Sequence, residues 1–443
     1  MEKLSSLRFD ALAGYARTPW TLLTADEREW YSEANERVLG VLVQDRMDKD
    51  YVCVVMGRDA IGRFRAVYLS DFFPRLRDAR ENIAVLLDEW SLKDPREFEQ
   101  GDEPNEPMEF FRPRHPFKKL NPGFVKIAAM EEYSPAKGIM EAMMYYFKDP
   151  DGNFVEQFQS TAFNARFWEL YLFALLAEGR YAVDRDRPAP DYSCVGVTGA
   201  FFIEAVTVNP TMKDGRVAEP PVRDWAAYME EYLPIKFAGP LTEKLKKKYW
   251  EKPHIKGGPI VFAIADFHRP FAMTVSQNAL PVYLYGRRVV QRRDWAGNLR
   301  PQFEVVNEHV WGKKVVPSGF FNLPESQHIS AVISTREATI AKFNRIGFKA
   351  GFGSRRVRMI RSGDRYNPNG TKSSRSRVSV ESKKYRESWT DGLEVYHNPN
   401  AAEPLNPDTF PFAFHHFLDG DEMVGTGPEG GWFGSETKVP LAD

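Results

Sequence analysis

From Phe163 to Glu178 the chain is apolar at nearly every position, FNARFWELYLFALLAE, with one acid, Glu169, deep in the run. A helix that is hydrophobic on all sides is a buried one, and Gly179 supplies its stop. Beyond it, the apolar pattern predicts a short strand at 181–183 and a hairpin over 191–208 turning at Thr198-Gly199-Ala200. Helical segments at 222–232 and 240–250 and a strand at 259–268 follow. Helix, three strands, helix, strand is an α/β order within an α+β whole. It predicts a mixed sheet flanked by helices on both faces.

Upstream, TADEREWYSEANERVLGVLVQD reads as a helix with Thr24 at its N-cap and acids in its first turn. YVCVVMGRDAIGRFRAVYLSDFFP predicts a hairpin turning near Asp59–Gly62, and RLRDARENIAVLLDEWSLKD an amphipathic helix with Ile83, Leu86, Leu87 and Trp90 on one side. The Pro/Glu-rich stretch from Asp94 to Pro116 predicts a linker, with a boundary between 95 and 120. A helix from about Ser134 to Phe147, or a strand pair, leads into the apolar run. Downstream, LPVYLYGRR, ISAVISTREATI and RRVRMIRSG predict strands. The expected division is an N-terminal α+β region at 1–120, a core at 121–290, a C-terminal extension at 291–386 and a tail at 387–443.

Composition narrows the classes. The 443 residues are 43% hydrophobic and 14% aromatic, which is a folded globular chain. No run of about 18 apolar residues is present, so a membrane partner is not expected. The only two cysteines, Cys53 and Cys194, lack CxxC spacing, which predicts a reduced cytoplasmic protein without a structural zinc. A net charge of −1 argues against a generic polyanion binder. That total hides a basic segment, Arg336–Arg386, with 15 Lys and Arg against 3 Asp and Glu, followed by a tail with 11 acids and one lysine. Arg355, Arg356, Arg358 and Arg361 are the residues expected to follow a nucleic-acid backbone, with the acidic tail as their neutraliser or shield. AGFGSRR lacks the P-loop pattern, and no GxSxG occurs.

Three acids carry the candidate chemistry: Glu169 in the apolar helix, Asp191 after Pro190, and Glu204 inside the apolar strand FFIEAVTVN. Buried carboxylates are costly unless paired or bound to a metal. Singly, Glu169 could pair with Arg166 one turn earlier and Asp191 could be a turn residue. Glu204 is harder to assign to an ordinary role, because its strand is apolar on both sides. Asp191 and Glu204, thirteen positions apart across the expected turn, can lie side by side. One or two carboxylates suffice for Mg²⁺ or Mn²⁺, which keep several waters. Such an ion can activate water against a phosphodiester.

The pieces ARFWELYL, APDY and FIEAV, in this order and spacing, resemble the core of the PD-(D/E)XK nuclease superfamily. With KLKKKYW, IVFAIADFH, TIAKFNRIGFKAG and GLEVYHNPNAAEPL, the chain is similar over about 155–415 to a set of uncharacterised bacterial proteins that carry this core. The resemblance implies a restriction-endonuclease-like mixed four-stranded sheet and Mg²⁺-dependent cleavage of DNA, less readily RNA, in a role such as defence against foreign DNA. It gives Asp191 and Glu204 as metal ligands and Glu169 as the helix acid. Valine stands at 206, where the superfamily's lysine would be. Lys244 and Lys248, four apart and so expected on one helical face, are the substitutes. If neither reaches the site, the alternative is a nuclease-fold protein that binds nucleic acid or a partner without cutting. A homodimer or larger complex is left open.

Overall fold

The computed structural model describes residues 1–33, 35–103, 108–255, 257–295, 297–366, 373–428 and 431–443. The N-terminal region is a five-stranded antiparallel meander of β1 (Glu2–Leu4), β2 (Ala25–Glu33), β3 (Val38–Asp45), β4 (Tyr51–Arg58) and β5 (Phe64–Leu69). Helix α1 (Ser6–Ala13) packs on one face, and α2 (Leu76–Ser91) buries Ile83, Leu86 and Leu87 on the other. The turn at Asp59–Gly62 and helix α2 stand where the pattern puts them.

The helix expected over 24–45 is instead β2 and β3. Val38–Leu42 is buried on both faces, as an interior strand is. The acids read as part of a helix are matched from a distance: Glu27 by Arg17, and buried Glu29 by Arg80 and Lys3. The stretch expected to be a linker is also packed. Phe98, Phe110 and Phe111 are buried, and the Gln159 amide donates to the Phe110 and Arg112 carbonyls while its oxygen accepts from the Arg114 N–H. Residues 104–107 of that stretch lie outside the described residues.

The rest of the chain is built on one eight-stranded mixed sheet. Helices α3 (Ser134–Met144) and α4 (Phe163–Glu178) precede β6 (Ala182–Asp184), β7 (Tyr192–Gly196) and β8 (Gly199–Val208). Helix α5 (Leu233–Leu245) leads to β9 (Ile260–Asp266), and α6 (Ala272–Tyr285) follows. Next come β10 (Ala331–Thr335), α7 (Ile340–Lys349), β11 (Ile360–Tyr366), β12 (Ser373–Ser379), β13 (Leu393–His397), β14 (Phe414–Asp419), β15 (Glu422–Thr426) and β16 (Gly431–Lys438). The sheet order is β15-β14-β13-β10-β9-β8-β7-β6. β6, β7 and β8 are antiparallel neighbours, whereas β9 runs parallel to both β8 and β10. Helices α3, α4 and α7 share the apolar cluster on one face, and α5 and α6 share the cluster on the other.

Three expectations change here. The sheet continues well past residue 290, so the segments expected as a basic extension and an acidic tail supply half of its strands. The tail is not a detachable shield either, because β16 pairs with β11 in a three-stranded sheet with β12. LPVYLYGRR is not a strand. It ends α6, whose Ala279, Leu280, Tyr283 and Leu284 face the core at helical spacing, and Gly286 stops it in the left-handed region at φ 65°.

Helix α7 crosses α3 at Gly347, where a Cβ would lie 2.2 Å from the Pro135 carbonyl oxygen. Gly347→Ala is therefore expected to destabilise by about 1–3 kcal/mol or more through forced separation of the helices, as a lower denaturation midpoint in urea would show.

Candidate active site

Helix α4 is buried because ten of its apolar side chains pack between the sheet and α3. Trp168 Nε1 donates to the Ala263 carbonyl of β9 at 2.8 Å and fixes the helix on the sheet. That docking takes Glu169 out of solvent, leaving it 4% exposed. Its carboxylate is held by Arg166 Nη1 at 2.7 Å and by Arg185 Nη2 at 3.1 Å. The pair with Arg166 is the one the spacing suggested. Arg185, clamped between the Phe147 and Tyr192 rings at 4.2 and 4.4 Å, is a second partner with no sequence signal.

β7 and β8 bring the other two acids together. The register pairs Tyr192 with Ile203, and continuing it by one position places Asp191 opposite Glu204. Asp191 Oδ2 accepts the Ala205 N–H at 2.8 Å, so its carboxylate is locked to the second strand. Glu204 Oε1 accepts from the Lys244 ammonium and from the Tyr249 hydroxyl, the latter at 2.6 Å. Glu204 Oε2 is buried with no hydrogen-bond partner among the described residues. A cleft of about 530 Å³ opens beside them, and Glu169, Asp191, Thr207 and Lys244 line it.

The electrostatics mark the three acids as one unit. Burial pushes Glu169 up, the Asp191 charge pushes it further, and it reaches about 7 in spite of Arg185 and Arg166. Burial and the same Asp191 charge raise Glu204, against Lys244 and Tyr249. Mutually repelling carboxylates with one orphaned oxygen are a site that favours a cation. Among the described residues no group of three or more His, Cys, Asp or Glu side chains could hold a metal ion. The pair Asp191 and Glu204 could at most hold a hard ion that keeps its own waters, as Mg²⁺ or Mn²⁺ does.

The lysines divide. Lys244 sits in the last turn of α5 and reaches Glu204. The helix ends at Leu245, and Lys248, in the left-handed region at φ 47°, turns toward Glu325 and Glu251, each 3.5 Å from its Nζ. The expectation of one shared helical face fails because the helix stops between them. Val206 is 1% exposed, in the apolar cluster beneath α5. Tyr249 was missed from sequence, although it directly follows the lysine run.

The arginines also divide. Arg355 is exposed, Arg356 is 3.1 Å from Glu131, and Arg358 is 3.2 Å from Glu381. Arg361 is 2% exposed and bound to Glu337 and Glu387, so it cannot follow a nucleic-acid backbone. No described helix is long and apolar enough to cross a membrane. Compared with protein-family models, curated proteins and solved structures, the chain matches none of them.

Proposed function

We propose that this protein is a metal-dependent nuclease that hydrolyses phosphodiester bonds in DNA. The observation that carries the reading is the convergence of Asp191 and Lys244 on one cleft, with Glu204 buried directly behind it, bound to Lys244 through Oε1 and left with Oε2 unpartnered among the described residues. The local order also supports it. Helix α4, the meander β6-β7-β8, helix α5 and the parallel strand β9 follow one another as a restriction-endonuclease-like core requires.

Asp191 and Glu204 would hold the ion. Bound there, Mg²⁺ would polarise the scissile phosphate and lower the pKa of a water. Glu169, raised by burial and by the Asp191 charge, is placed to take a proton at its carboxylate. Lys244 places an ammonium beside Glu204, where it can stabilise charge on phosphate oxygens in place of the superfamily's strand lysine. The competing reading, a scaffold that binds without cutting, is favoured by buried Val206; Lys244 answers it by reaching the same acid from the helix.

The test is supercoiled plasmid with Mg²⁺ or Mn²⁺. Wild type is expected to nick or linearise it only with metal. Glu204→Gln and Lys244→Met are expected to lose about a hundredfold or more, and Lys248→Ala is expected to match wild type. Cleavage by Glu204→Gln at the wild-type rate would overturn the assignment.

A further inference from the structure

A second groove, of about 520 Å³, lies where α6 begins, between Trp225, Phe271 and the β11–β12 hairpin. Three aromatic rings ascend toward it. Tyr232 stacks on Tyr228 with centroids 5.3 Å apart at 23°, and Tyr228 stacks on Trp225 at 5.8 Å and 26°. Tyr228–Tyr232 forms a π-helical turn, a local irregularity frequent at functional sites. The ladder is pinned from below. The Tyr228 hydroxyl is 2.6 Å from His268 Nε2, and His268 Nδ1 is 2.6 Å from Asp266 Oδ1, all three residues being buried. Its top is open, since Trp225 is 56% exposed.

Phe271 also lines the groove. It is 81% exposed and held in the left-handed region at φ 63°, a conformation that a bulky residue rarely adopts. A largely exposed aromatic residue on strained backbone is poor for folding and is the kind of strain found at binding sites. Two glycines of paired strands stand in its wall. Gly363 and Gly434 approach so closely that a Cβ on Gly363 would lie 2.0 Å from the Gly434 carbonyl oxygen. Exposed Arg375 lines it together with Asp364, its cross-strand neighbour, and Glu436, while exposed Arg365 and Arg377 lie on the same hairpin outside the groove. Aromatic faces beside exposed cations are complementary to a base and its phosphate.

We propose that this groove takes an unpaired nucleobase of a single-stranded stretch, stacked on the open face of Trp225 and against Phe271, with Arg375 at its phosphate. The proposal rests on the nucleic-acid reading of the cleft and adds to it a polarity. Trp225 precedes Pro240 of the cleft by fifteen residues of nearly continuous helix, roughly 20 Å at 1.5 Å per residue. The bound base would therefore lie roughly 20 Å from the cleft along that helix.

The experiment measures the affinity of full-length protein for a fluorescent single-stranded 12-mer and for a blunt duplex, in EDTA so that cleavage plays no part. Trp225→Ala and Phe271→Gly are expected to weaken single-strand binding about ten- to a hundredfold, and blunt-duplex binding far less. Phe271→Gly is expected to melt at or above the wild-type temperature, because glycine accepts that φ, which separates lost stacking from lost structure. Unchanged single-strand affinity in both variants overturns the proposal, as does wild type with no single-strand binding or an equal loss on duplex. If the variants bind the 12-mer normally while plasmid is cut with Mg²⁺, the groove assignment fails and the nuclease reading stands. If they lose binding and no metal-dependent cutting exists, the reverse holds.

Discussion

Asp191→Asn is expected to abolish cleavage, by about a thousandfold, and at the same time to make the folded protein more stable above pH 7. The first effect follows from removing one of two carboxylates that would hold the ion and from losing the negative charge that attracts it. Asparagine keeps the side-chain oxygen that accepts the Ala205 N–H, so the hairpin is left intact. The second effect follows from linkage. Glu169 is raised from an ordinary 4.5 to about 7, first by burial and then by the Asp191 charge. An acid raised in the folded state binds more protons there than in the unfolded chain between those values. Stability therefore falls as pH rises through that window, by about 3 kcal/mol in all. Removing the Asp191 charge lowers Glu169 and Glu204 together and restores part of that loss. Side-chain carboxyl NMR should show Glu169 titrating lower in Asp191→Asn, and urea denaturation at pH 8 should show a higher midpoint. Glu169 titrating as in wild type would mean that the two groups do not share a field, and the grouping of the three acids would fail with it.

The three acids were legible for a reason that does not apply to most of the chain. A carboxylate in an apolar run is anomalous in sequence because its cost is local, whatever its partner. Two of their partners were legible from spacing, Arg166 for Glu169 and Lys244 for Glu204, and two were not. Arg185 reaches Glu169 across a strand, and Tyr249 reaches Glu204 from beyond a helix end. Residues 25–45 were misread for the same reason in reverse. Glu27 and Glu29 look solvated until Arg17 and Arg80 are folded against them, which only the tertiary structure does. Lys244 and Lys248 depended on where α5 stops, and element ends are the least fixed part of any pattern. The four extra strands of the sheet join beyond β9 in the order β10-β13-β14-β15, which skips the β11–β12 hairpin, and no local period encodes such a crossing. Sequence thus exposed what is expensive on its own, and it hid whatever becomes cheap only by long-range pairing.

The basic segment gives the sharpest case and the largest expected change in stability. Arg345 of α7 and Arg361 of β11 were part of a charge excess that pointed to nucleic acid, yet both are buried against acids. Arg345 binds Glu387 through Nη2 at 2.6 Å and Nε at 2.9 Å, a two-pronged geometry, and Glu337 at 3.2 Å. Arg361 binds Glu337 at 2.5 Å and Glu387 at 3.0 Å. The Tyr385 hydroxyl donates to Glu387 at 2.7 Å, and the two arginines reach Thr437 and Ser435 of β16. The network therefore ties α7 and β11 to the end of the chain. Burial alone would raise Glu387, but the guanidiniums of Arg345 and Arg361 pull it from 4.5 to about 2. A depressed acid adds stability that is complete above its unfolded value and is lost as pH falls toward the folded one, so about 3 kcal/mol should disappear between roughly pH 4.5 and pH 2. Glu387→Gln leaves two buried guanidiniums short of a charge and is expected to cost about 3–5 kcal/mol at pH 7. The variant should also lack that part of the acid transition, so the stability gap to wild type narrows steadily below pH 4.5. Urea midpoints at pH 7 and pH 3 read both quantities. A variant as stable as wild type at pH 7 would return Arg345 and Arg361 to the surface charge that the sequence suggested.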